Sequence, residues 1–328
     1  MQATSKAAVA DAVSAFVKQA AHLPQPWVVG LSGGLDSTVL LHALRQAGLA
    51  LHALHVNHHL QSAAQSWPAH CRSVCNAMGV ALDVLDVNVN TTKASLEAEA
   101  RQARYQAMGE WMQAHNTVLL LCAHHQDDQI ETVLIQLLRG QGLRGLAGMP
   151  TLGGWPLALG TVGTTLWLGR PLLDVSKKDL QAYAQHHGLV HVEDPSNTDL
   201  QIRRNWMRQT LLPELEVQFP QARKGILNLA AYFQAHYRES DGRVGLELAH
   251  MSSPGGQLNL QAWGSQNTQA QRELLHAWLR RQGVRCGHAK LLELQRQLAL
   301  PQGGKRQVAH GWWVQVRNRH AKLHKEPV

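Results

Sequence analysis

A short loop rich in glycine and serine precedes the first predicted helix of the central part of the chain. It reads Ser32-Gly33-Gly34-Leu35-Asp36-Ser37, and Thr38 follows where the helix is expected to begin. The two glycines allow a tight turn and a close approach of backbone to ligand. Backbone N–H groups at a helix start, with the serine hydroxyls, can donate hydrogen bonds to an anion. We therefore predict a phosphate site, although the loop matches neither G-x4-G-K-[ST] nor G-x-G-x-x-G.

Acidic and imidazole side chains follow the fourth predicted strand, in residues 124–132. If a helix starts near residue 126, Asp128 and Glu131 lie on one face of it, and His124 comes just before it. Two carboxylates and an imidazole beside a phosphate site can hold Mg²⁺ or an ammonium group. Carboxylates in a first helical turn also complement the helix dipole, and Asp127 can serve that purpose alone. We interpret Asp128 and Glu131 as site residues.

The segments that must position these side chains alternate between short apolar runs and helical ones. Strands are predicted at residues 26–32, 51–56, 81–87 and 117–123, and helices at 37–46, 67–78 and 95–115. A strand that is apolar throughout has helices on both faces, as in a parallel sheet. The alternation therefore predicts an α/β fold with a doubly wound, mostly parallel sheet. Both motifs follow a strand, and the carboxyl edge of such a sheet is where ligands bind.

The rest of the chain has a different pattern. Eight glycines between Gly140 and Gly163 predict a long surface loop with a hairpin at residues 157–168. A helical, mixed-charge segment follows, and then a smaller unit with helices at 269–282 and 288–298 and a β-like run at 311–317. We predict a catalytic domain at residues 1–212, a helical linker at 213–250 and a small basic domain at 251–328.

The charge of the chain is unevenly distributed. Of 328 residues, 45% are hydrophobic and 16% charged, which argues against wholesale disorder and favours about two domains. Lys and Arg outnumber Asp and Glu by 31 to 23, and the last 48 residues alone hold ten of these cations against two glutamates. The whole excess of +8 is therefore local. A basic end on a neutral body predicts a polyanion-binding unit, the alternative being a basic surface without a partner.

Cysteine usage and hydropathy restrict the cellular location. The four cysteines, Cys71, Cys75, Cys122 and Cys286, are too few for a disulfide framework, and no second pair completes a zinc site. We predict reduced, mostly buried thiols. No apolar run approaches the ~18 residues of a membrane span, and the first residues lack the pattern of a secretory leader. The expected location is cytoplasmic, without membrane association.

The loop and four later motifs resemble a known superfamily. S-G-G-x-D-S after the first strand is similar to the pyrophosphate loop of the N-type ATP pyrophosphatases, the PP-loop superfamily, whose members adenylate an oxygen and then let a nucleophile displace AMP. Residues 55–60, HVNHHL, resemble the H-V-N-H-G-L of the tRNA(Ile)-lysidine synthetase family, with His59 at the usual glycine. Residues 97–105 resemble its acidic-Arg-Arg-Tyr helix; from the residues alone, a Glu97–Arg101 ion pair is the alternative.

Two further motifs follow in the same order. Residues 123–146 are similar to the family's most diagnostic segment, and residues 170–208 resemble its R-P-L-L and D-P-S-N…R-N…R elements. For the arginines of the last element, the structural alternative is an ion pair with Asp194 that fixes the turn, a role open to Arg203 or Arg208 as well.

The resemblance implies a reaction. ATP would adenylate the C2 oxygen of the wobble cytidine in a tRNA(Ile) with a CAU anticodon, and the ε-amine of L-lysine would displace AMP to give lysidine. The implied cofactors are ATP and Mg²⁺, and the implied partners are this tRNA and L-lysine. A homodimer is compatible with the resemblance, since dimers are common among such enzymes.

The resemblance also assigns roles to residues of this chain. The loop would hold the phosphates that leave as pyrophosphate, carboxylates would organise Mg²⁺ and the lysine amine, and an imidazole and a guanidinium would stabilise the transferring adenylate. The catalytic candidates are Asp36, His124, Asp128, Glu131 and Arg204. The ATP-binding candidates are Ser32, Gly33, Gly34, Leu35, Asp36, Ser37, Val56 and Arg104, and the Mg²⁺ candidates are Asp36 and Asp128. The tRNA-binding candidates are Arg139, Arg144, Lys305, Arg306, Arg317 and Arg319.

Two other functions stay open. One is another PP-loop tRNA-modifying enzyme such as a tRNA thiolase, whose chemistry generally needs paired cysteines near the site. The other is a nucleotide- and RNA-binding module that has no catalytic activity.

Overall fold

The computed structural model describes residues 2–58, 66–87, 96–140, 143–155, 166–253, 255–284, 286–300, 303–309 and 311–325. The chain divides into two units, the first formed by Met1–Gln141 and Gly145–Ala230 and the second by Gly142–Arg144 and Ala231–Val328. The three-part division at 1–212, 213–250 and 251–328 stays a prediction. Within the described residues, no helix combines the length and the apolar character needed to cross a membrane.

The first part of the chain alternates strands and helices. In chain order the elements are α1 (Gln2–Ala20), β1 (Trp27–Gly30), α2 (Leu35–Gln46), β2 (Leu51–Asn57), α3 (Trp67–Met78), β3 (Ala81–Asp86), α4 (Leu96–Ala114), β4 (Leu119–Leu121), α5 (Gln126–Leu138), α6 (Leu143–Leu146), β5 (Leu152–Gly154), β6 (Trp167–Gly169), α7 (Lys177–His186), α8 (Arg203–Trp206) and α9 (Leu212–Gln218). A 3₁₀ helix lies at Pro195–Thr198, and a π-helical turn at Met207–Leu211 joins α8 to α9.

The sheet of the first unit has the order β3-β2-β1-β4-β6-β5. The first five strands of this order pair in parallel, and β5 is antiparallel to β6. Consecutive residues of β1 pack into separate hydrophobic cores on the two faces of the sheet. Val28 packs with Met108 of α4, whereas Val29 packs with Phe16 of α1 and residues of α2. Burial on both faces explains why β4 is apolar throughout. The predicted doubly wound, mostly parallel α/β sheet is confirmed.

The glycine-rich stretch is more structured than predicted. Instead of one long loop from Gly140, the chain forms the one-turn helix α6 and then strand β5. The hairpin exists, but its strands are β5 and β6, so the first strand comes before residues 157–168. Residues 156–165 lie outside the described part of the chain. Pairing with β6 supplies the backbone hydrogen bonds that make this glycine-rich segment a strand, and the sequence pattern does not contain that information.

The C-terminal part begins with a single 30-residue helix, α10 (Ala222–Met251). The remaining elements are β7 (Leu258–Asn259), α11 (Leu260–Gly264), α12 (Thr268–Arg281), α13 (His288–Ala299), β8 (Gly304–Ala309), β9 (Trp312–Arg317) and β10 (His320–Lys325). The four strands form an antiparallel sheet of order β7-β10-β9-β8. Trp263 and Trp278 are buried in the core under it. Of these strands the sequence pattern predicts only β9, because the lysine, arginine and glutamine side chains of β8 and the lysines of β10 weaken the apolar alternation of those two strands.

Candidate functional site

A cavity of about 300 Å³ opens at the carboxyl ends of β1, β2 and β4. Strand β1 lies between β2 and β4, so the order of the strands in the sheet reverses at β1. Such a reversal is a topological switch point, and α/β sheets bind ligands there. The walls include residues from each of the five predicted motifs: Ser32, Asp36, Ser37, Val56, Arg104, His124 and Asp194. The fold therefore brings all five motifs to one place.

The loop before α2 leaves the start of this helix open. Gly34 is the N-cap residue and makes no side-chain capping bond. The hydroxyls of Ser37 and Thr38 each donate a hydrogen bond to the carbonyl of Gly34 at 3.0 Å, and these two bonds stabilise the conformation of the loop. Gly33 has a φ of +87°, a left-handed conformation that favours glycine. Because the first N–H groups of a helix have no intrahelical acceptor, those of α2 remain for an anion.

His125 lies between two of the predicted carboxylates. Its Nε2 is 3.7 Å from Oδ2 of Asp36 and 3.5 Å from Oδ2 of Asp128, and its side chain is 2% exposed. Its Nδ1 accepts the backbone N–H of Asp127 at 3.2 Å, and this bond places the imidazole proton on Nε2, facing the carboxylates. Asp128 in turn accepts the backbone N–H of His125 at 3.0 Å, so the two residues form a capping box at the start of α5.

Sequence reasoning selected His124 and missed His125. The signal that could have identified His125 is its position immediately before the first helical residue, where a side-chain acceptor caps a helix. His124 does line the cavity. Burial and the nearby Arg170 guanidinium lower the pKa of His124 to about 3, so its imidazole is neutral at physiological pH. Its Nδ1 has no hydrogen-bond partner among the described residues.

Glu131, the second predicted carboxylate of α5, is fully buried. Its Oε1 accepts Nε of Arg208 at 2.7 Å, while its Oε2 has no partner within the described residues. Burial raises the pKa of Glu131 to about 7, although Arg208 acts in the opposite direction. Burial also raises the pKa of Asp128, but the imidazoles of His125 and His124 lower it, and the net shift is downward.

The two candidate arginines of the last motif have separate positions. Arg208 contacts Glu131 and, through Nη2 at 3.3 Å, Asp128, so among the described residues its ion pairs are with site carboxylates and not with Asp194. Arg204 is half-buried and makes no hydrogen bond or ion pair with another described residue. Its guanidinium is available to a ligand, and its role at the adenylate stays a prediction.

Lys177 is a second residue that sequence reasoning missed. Its Nζ is 2.7 Å from Oδ1 of Asp36, although the two residues are far apart in the chain. Lys177 is the first residue of α7, just after the N-cap Ser176. A lysine at a helix start gives no sequence signal for a site, so only the packing of α7 beside α2 reveals it.

Two of the motifs are only partly described. Residue 59 and the side chain of Glu97 lie outside the described part of the chain, and the predicted Glu97–Arg101 pair therefore lies outside it as well. Arg104 lines the cavity, and its Nε is 3.4 Å from Nε2 of His58. Among the described residues, no group of three or more His, Cys, Asp or Glu side chains is placed to hold a metal.

The predicted tRNA-binding residues are spread over several surfaces. Arg139 is exposed at the end of α5, and the guanidinium of Arg144 lies 4.6 Å from the ring centroid of Tyr237. In the antiparallel sheet, Arg306 bonds back to the Gly304 carbonyl at 3.4 Å. Arg319 lies in the β9–β10 turn and donates to Gln261 at 3.3 Å.

Lys305 and Arg317 share the outer face of that sheet with an aromatic pair. The register places Trp313 opposite His324, and their rings stack with centroids 4.4 Å apart. Nζ of Lys305 is 4.3 Å from the Trp313 ring centroid. Lys322 is exposed on the same face as Arg317. Cations around an aromatic side chain on one sheet face are typical of surfaces that bind single-stranded nucleic acid.

Comparison with known proteins gives a family match and similar relatives. A family model described as "PP-loop domain" matches residues 5–215. The chain is similar to the tRNA(Ile)-lysidine synthase of Methylococcus capsulatus, with 36% identity over 318 residues that cover 93% of this chain and 69% of that protein. It is also similar to that of Pseudomonas fluorescens, with 47% identity over 230 residues, or 69% of this chain and 48% of that protein.

The synthase of Pseudomonas aeruginosa is 42% identical over 275 residues, which cover 77% of this chain and 58% of that protein. The chain thus spans about half the length of the first relatives. Among solved structures, the U34-tRNA thiolase NcsA from Methanococcus maripaludis with its 4Fe–4S cluster has a TM-score of 0.54 at 16% identity, covering 69% of this chain and 79% of that chain. At this identity the likeness shows a shared fold.

Proposed function

Because the chain belongs to the PP-loop family and, within it, to the tRNA(Ile)-lysidine synthases, we propose that it ligates L-lysine to C2 of the wobble cytidine of a CAU-anticodon tRNA(Ile) at the expense of ATP. The proposal rests on how the loop helix and the acidic motif are arranged around one cavity. An uncapped helix start and Asp36 line a single cavity at the carboxyl edge of the sheet, and His125 links Asp36 to Asp128.

The residues at the cavity fit a nucleoside triphosphate with Mg²⁺. The N–H groups at the start of α2 would bind the β- and γ-phosphates, and Leu31, Val56 and Met108 supply an apolar wall for a base. Mg²⁺ usually takes one or two carboxylates together with substrate phosphates and water. Asp36 and Asp128 would be those carboxylates, so a site without a third protein ligand fits this ion.

The buried carboxylate supports a role in handling the lysine amine. An amine with a pKa of about 10.4 is protonated near neutral pH and must lose a proton before it attacks. Glu131 has a pKa of about 7 and an unpartnered oxygen among the described residues, so it accepts a proton more readily than Asp128. We propose that this pair of carboxyl groups takes up the proton, and we assign the stabilisation of charge on the adenylate to Arg204. His124, which is neutral, would act as a hydrogen-bond donor.

The outer face of the C-terminal sheet is the tRNA surface that we propose. Lys305, Arg317 and Lys322 provide charge for phosphates, and the Trp313–His324 pair provides an aromatic surface. Arg139 and Arg144, Arg306 and Arg319 are proposed contacts outside this face. The reaction would take place in the cytoplasm, where tRNA, ATP and free lysine meet.

The thiolase alternative receives no support from the cysteines. Cys71 and Cys75 are buried in the first core, and burial raises the pKa of Cys71 to about 12. Cys122 is the one cysteine that lines the cavity. A pair of reactive thiols at the site is therefore missing from the described residues, which include all four cysteines.

The test is ATP-dependent incorporation of labelled lysine into a CAU tRNA(Ile) transcript. Wild type should incorporate lysine and release AMP and pyrophosphate, and Asp36→Asn should lose this activity. Asp11→Asn, which changes an exposed aspartate on α1, should behave as wild type. If no lysine is incorporated while another RNA supports ATP–pyrophosphate exchange, the nucleotide site is correct and the acceptor is wrong. No exchange with any RNA would favour the non-catalytic binding module.

A further inference from the structure

A second cavity, of about 280 Å³, belongs wholly to the C-terminal unit and opens between α11, the end of α13 and the β9–β10 turn. Leu260, Leu298 and Val316 form its apolar wall. Val316 lies on the inner face of the antiparallel sheet, so the cavity is separate from the outer face that carries Trp313. Ligand cavities measure roughly 300–1,000 Å³. This one is therefore large enough for a single small ring system and too small for a helix or a base pair.

The cavity stays open because several residues of its wall are small. Gly264, Ala299 and Gly303 line it, and a Cβ atom added to Gly264 would find open space within 4 Å. Leu300, also in the wall, is 58% exposed. A ligand that enters the cavity can therefore bury apolar surface that water now covers.

Three polar side chains of the wall can form hydrogen bonds with such a ligand. Nη1 of Arg319 donates to Oε1 of Gln261 at 3.3 Å, which leaves the amide N–H groups of Gln261 and other guanidinium donors for a ligand. The side-chain amide of Asn318 makes no hydrogen bond with another described residue. Amides and a guanidinium together suit a neutral ring with polar edges that is attached to an anion.

Arg319 occupies a turn position that favours a different residue. Asn318 and Arg319 have φ of +50° and +57°, as in the two-residue hairpin turn whose second position favours glycine. The backbone N–H of Leu260 donates to the Arg319 carbonyl at 2.8 Å and ties this turn to the start of α11. An arginine in a strained left-handed conformation points to a function of its side chain.

The charge around the cavity favours an anionic ligand. Residues 303–325 contain six lysines and arginines and no aspartate or glutamate. A ring with polar edges attached to an anion is a nucleotide. In double-stranded RNA the bases are stacked and paired, so only an unpaired nucleotide can place its base in a cavity.

We propose that this cavity binds one unpaired nucleotide of the RNA substrate. The base packs on the apolar wall, the amides of Gln261 and Asn318 bind its polar edge, and the Arg319 guanidinium binds the adjoining phosphate. The cavity thus adds recognition of a single-stranded segment to the phosphate contacts of the outer sheet face. This inference rests on the proposed RNA substrate and names a subsite for it.

The test is fluorescence anisotropy of the full chain with labelled single-stranded hexanucleotides of A, C or U and with a short RNA duplex. Gly264→Leu fills the cavity without a change of charge. It should weaken binding of the tightest hexanucleotide about tenfold, as expected for the loss of one base contact, and leave duplex binding unchanged. Gly225→Leu, at an exposed helical glycine with open space around it, is the matched control.

Arg319→Gly separates a ligand-binding role from a structural one. Glycine suits the left-handed position, so this variant should melt at or above the wild-type temperature. It should nevertheless bind the hexanucleotide less tightly, with a slope of log K against log salt lower by about 0.7, the value for one phosphate contact of a single strand. Arg296→Gln, at an exposed position of α13, removes the same charge and should leave binding unchanged. A lower melting temperature with wild-type binding would assign Arg319 to the turn alone and overturn the proposal.

Crosslinking locates the bound base. A hexanucleotide that contains 4-thiouridine should crosslink to residues 260–264, 298–300 or 316–319, as mapped by mass spectrometry. Crosslinks confined to Trp313 and His324 would place the base on the outer sheet face and contradict the proposal, as would wild-type affinity of Gly264→Leu or no hexanucleotide binding by wild type. None of these measurements contains ATP, lysine or tRNA, so their failure and a failure of lysine incorporation are separate results.

Discussion

At the scale of single residues, burial sets the acid–base chemistry of the site. Glu131 and Asp128 are both carboxyl groups beside Arg208, yet the pKa of Glu131 is raised and that of Asp128 is lowered. The difference is that Asp128 also faces two imidazoles and a backbone N–H, whereas Glu131 has one ionic partner and no water contact. Two neighbouring carboxyl groups can therefore be in different protonation states at one pH and can serve different roles in proton transfer.

Glu131→Gln should change the pH dependence of stability. The native pKa of about 7 exceeds the ordinary 4.5, so the ionised carboxylate penalises the fold above pH 7, and the penalty disappears as pH falls below 7 toward 4.5. The melting temperature of the variant relative to wild type should thus be more favourable at pH 8.5 than at pH 5.5. Thermal melts at both values, with the exposed Glu214→Gln as control, measure this. An equal difference at both pH values would contradict the raised pKa.

Two substitutions should separate the functions of the His125 side chain. Asn is a good N-cap, so His125→Asn keeps a cap for α5 but loses the Nε2–H that faces Asp36 and Asp128. We expect near-wild-type melting with reduced lysine incorporation. His125→Ala should lose activity and also about 1 kcal/mol of stability, since the cap is gone. Chemical denaturation and the incorporation assay are the measurements, and full activity of His125→Asn would show that the imidazole acts only as a cap.

At the scale of elements, the site depends on the N-termini of two helices, one of which is capped by side chains and one of which is not. The first turn of α5 is closed by His125 and Asp128, whereas α2 has no side-chain cap and keeps its N–H groups for a ligand. The π-helical turn Met207–Leu211 carries Arg208, whose guanidinium reaches back to α5. Irregular turns of this kind are frequent at functional sites, since one extra residue changes the direction of a side chain.

Alanine substitutions at Arg204 and Arg208 should have different consequences. Arg208→Ala leaves Glu131 buried without a cation, and we expect a loss of roughly 2–3 kcal/mol, below that of a fully buried pair because a third of Arg208 is exposed. Arg204 has no described partner, so Arg204→Ala should keep wild-type stability and lose catalytic rate. Urea denaturation and single-turnover adenylation distinguish them. If Arg204→Ala unfolds as easily as Arg208→Ala, the division of roles is incorrect.

At the scale of the whole molecule, the excess positive charge and the candidate catalytic cavity lie in different parts of the chain. The last 48 residues carry the entire excess of positive charge, whereas the cavity belongs to the first unit. A large nucleic acid is bound mainly through its phosphates, and that part of binding depends on salt. Nucleotide binding in a cavity does not share this dependence to the same degree.

The double variant Lys305→Ala/Arg317→Ala should therefore weaken tRNA binding without weakening ATP binding. Removing two phosphate contacts should lower the slope of log K against log salt by about 1.5. Filter binding of tRNA at several salt concentrations measures the slope, and calorimetry measures ATP affinity. Lys18→Ala, at an exposed position of α1, is the control. An unchanged salt slope would remove this sheet face from the tRNA surface.

The sequence by itself determined the fold class and the position of the glycine-rich loop and of the acidic motif at the carboxyl edge of the sheet, because these depend on local patterns: apolar runs, helical spacing and a Gly-Gly turn before a helix. It did not reveal α7 as a part of the site, the strands β8 and β10, or the position of His125 between Asp36 and Asp128. Each of these depends on what approaches from elsewhere in the chain: Lys177 reaches Asp36 across the packing of α7 on α2, and Arg208 reaches Glu131 from a π-helical turn. Only the tertiary structure decides such contacts, since the burial and charge partners that set a side chain's chemistry are distant in sequence.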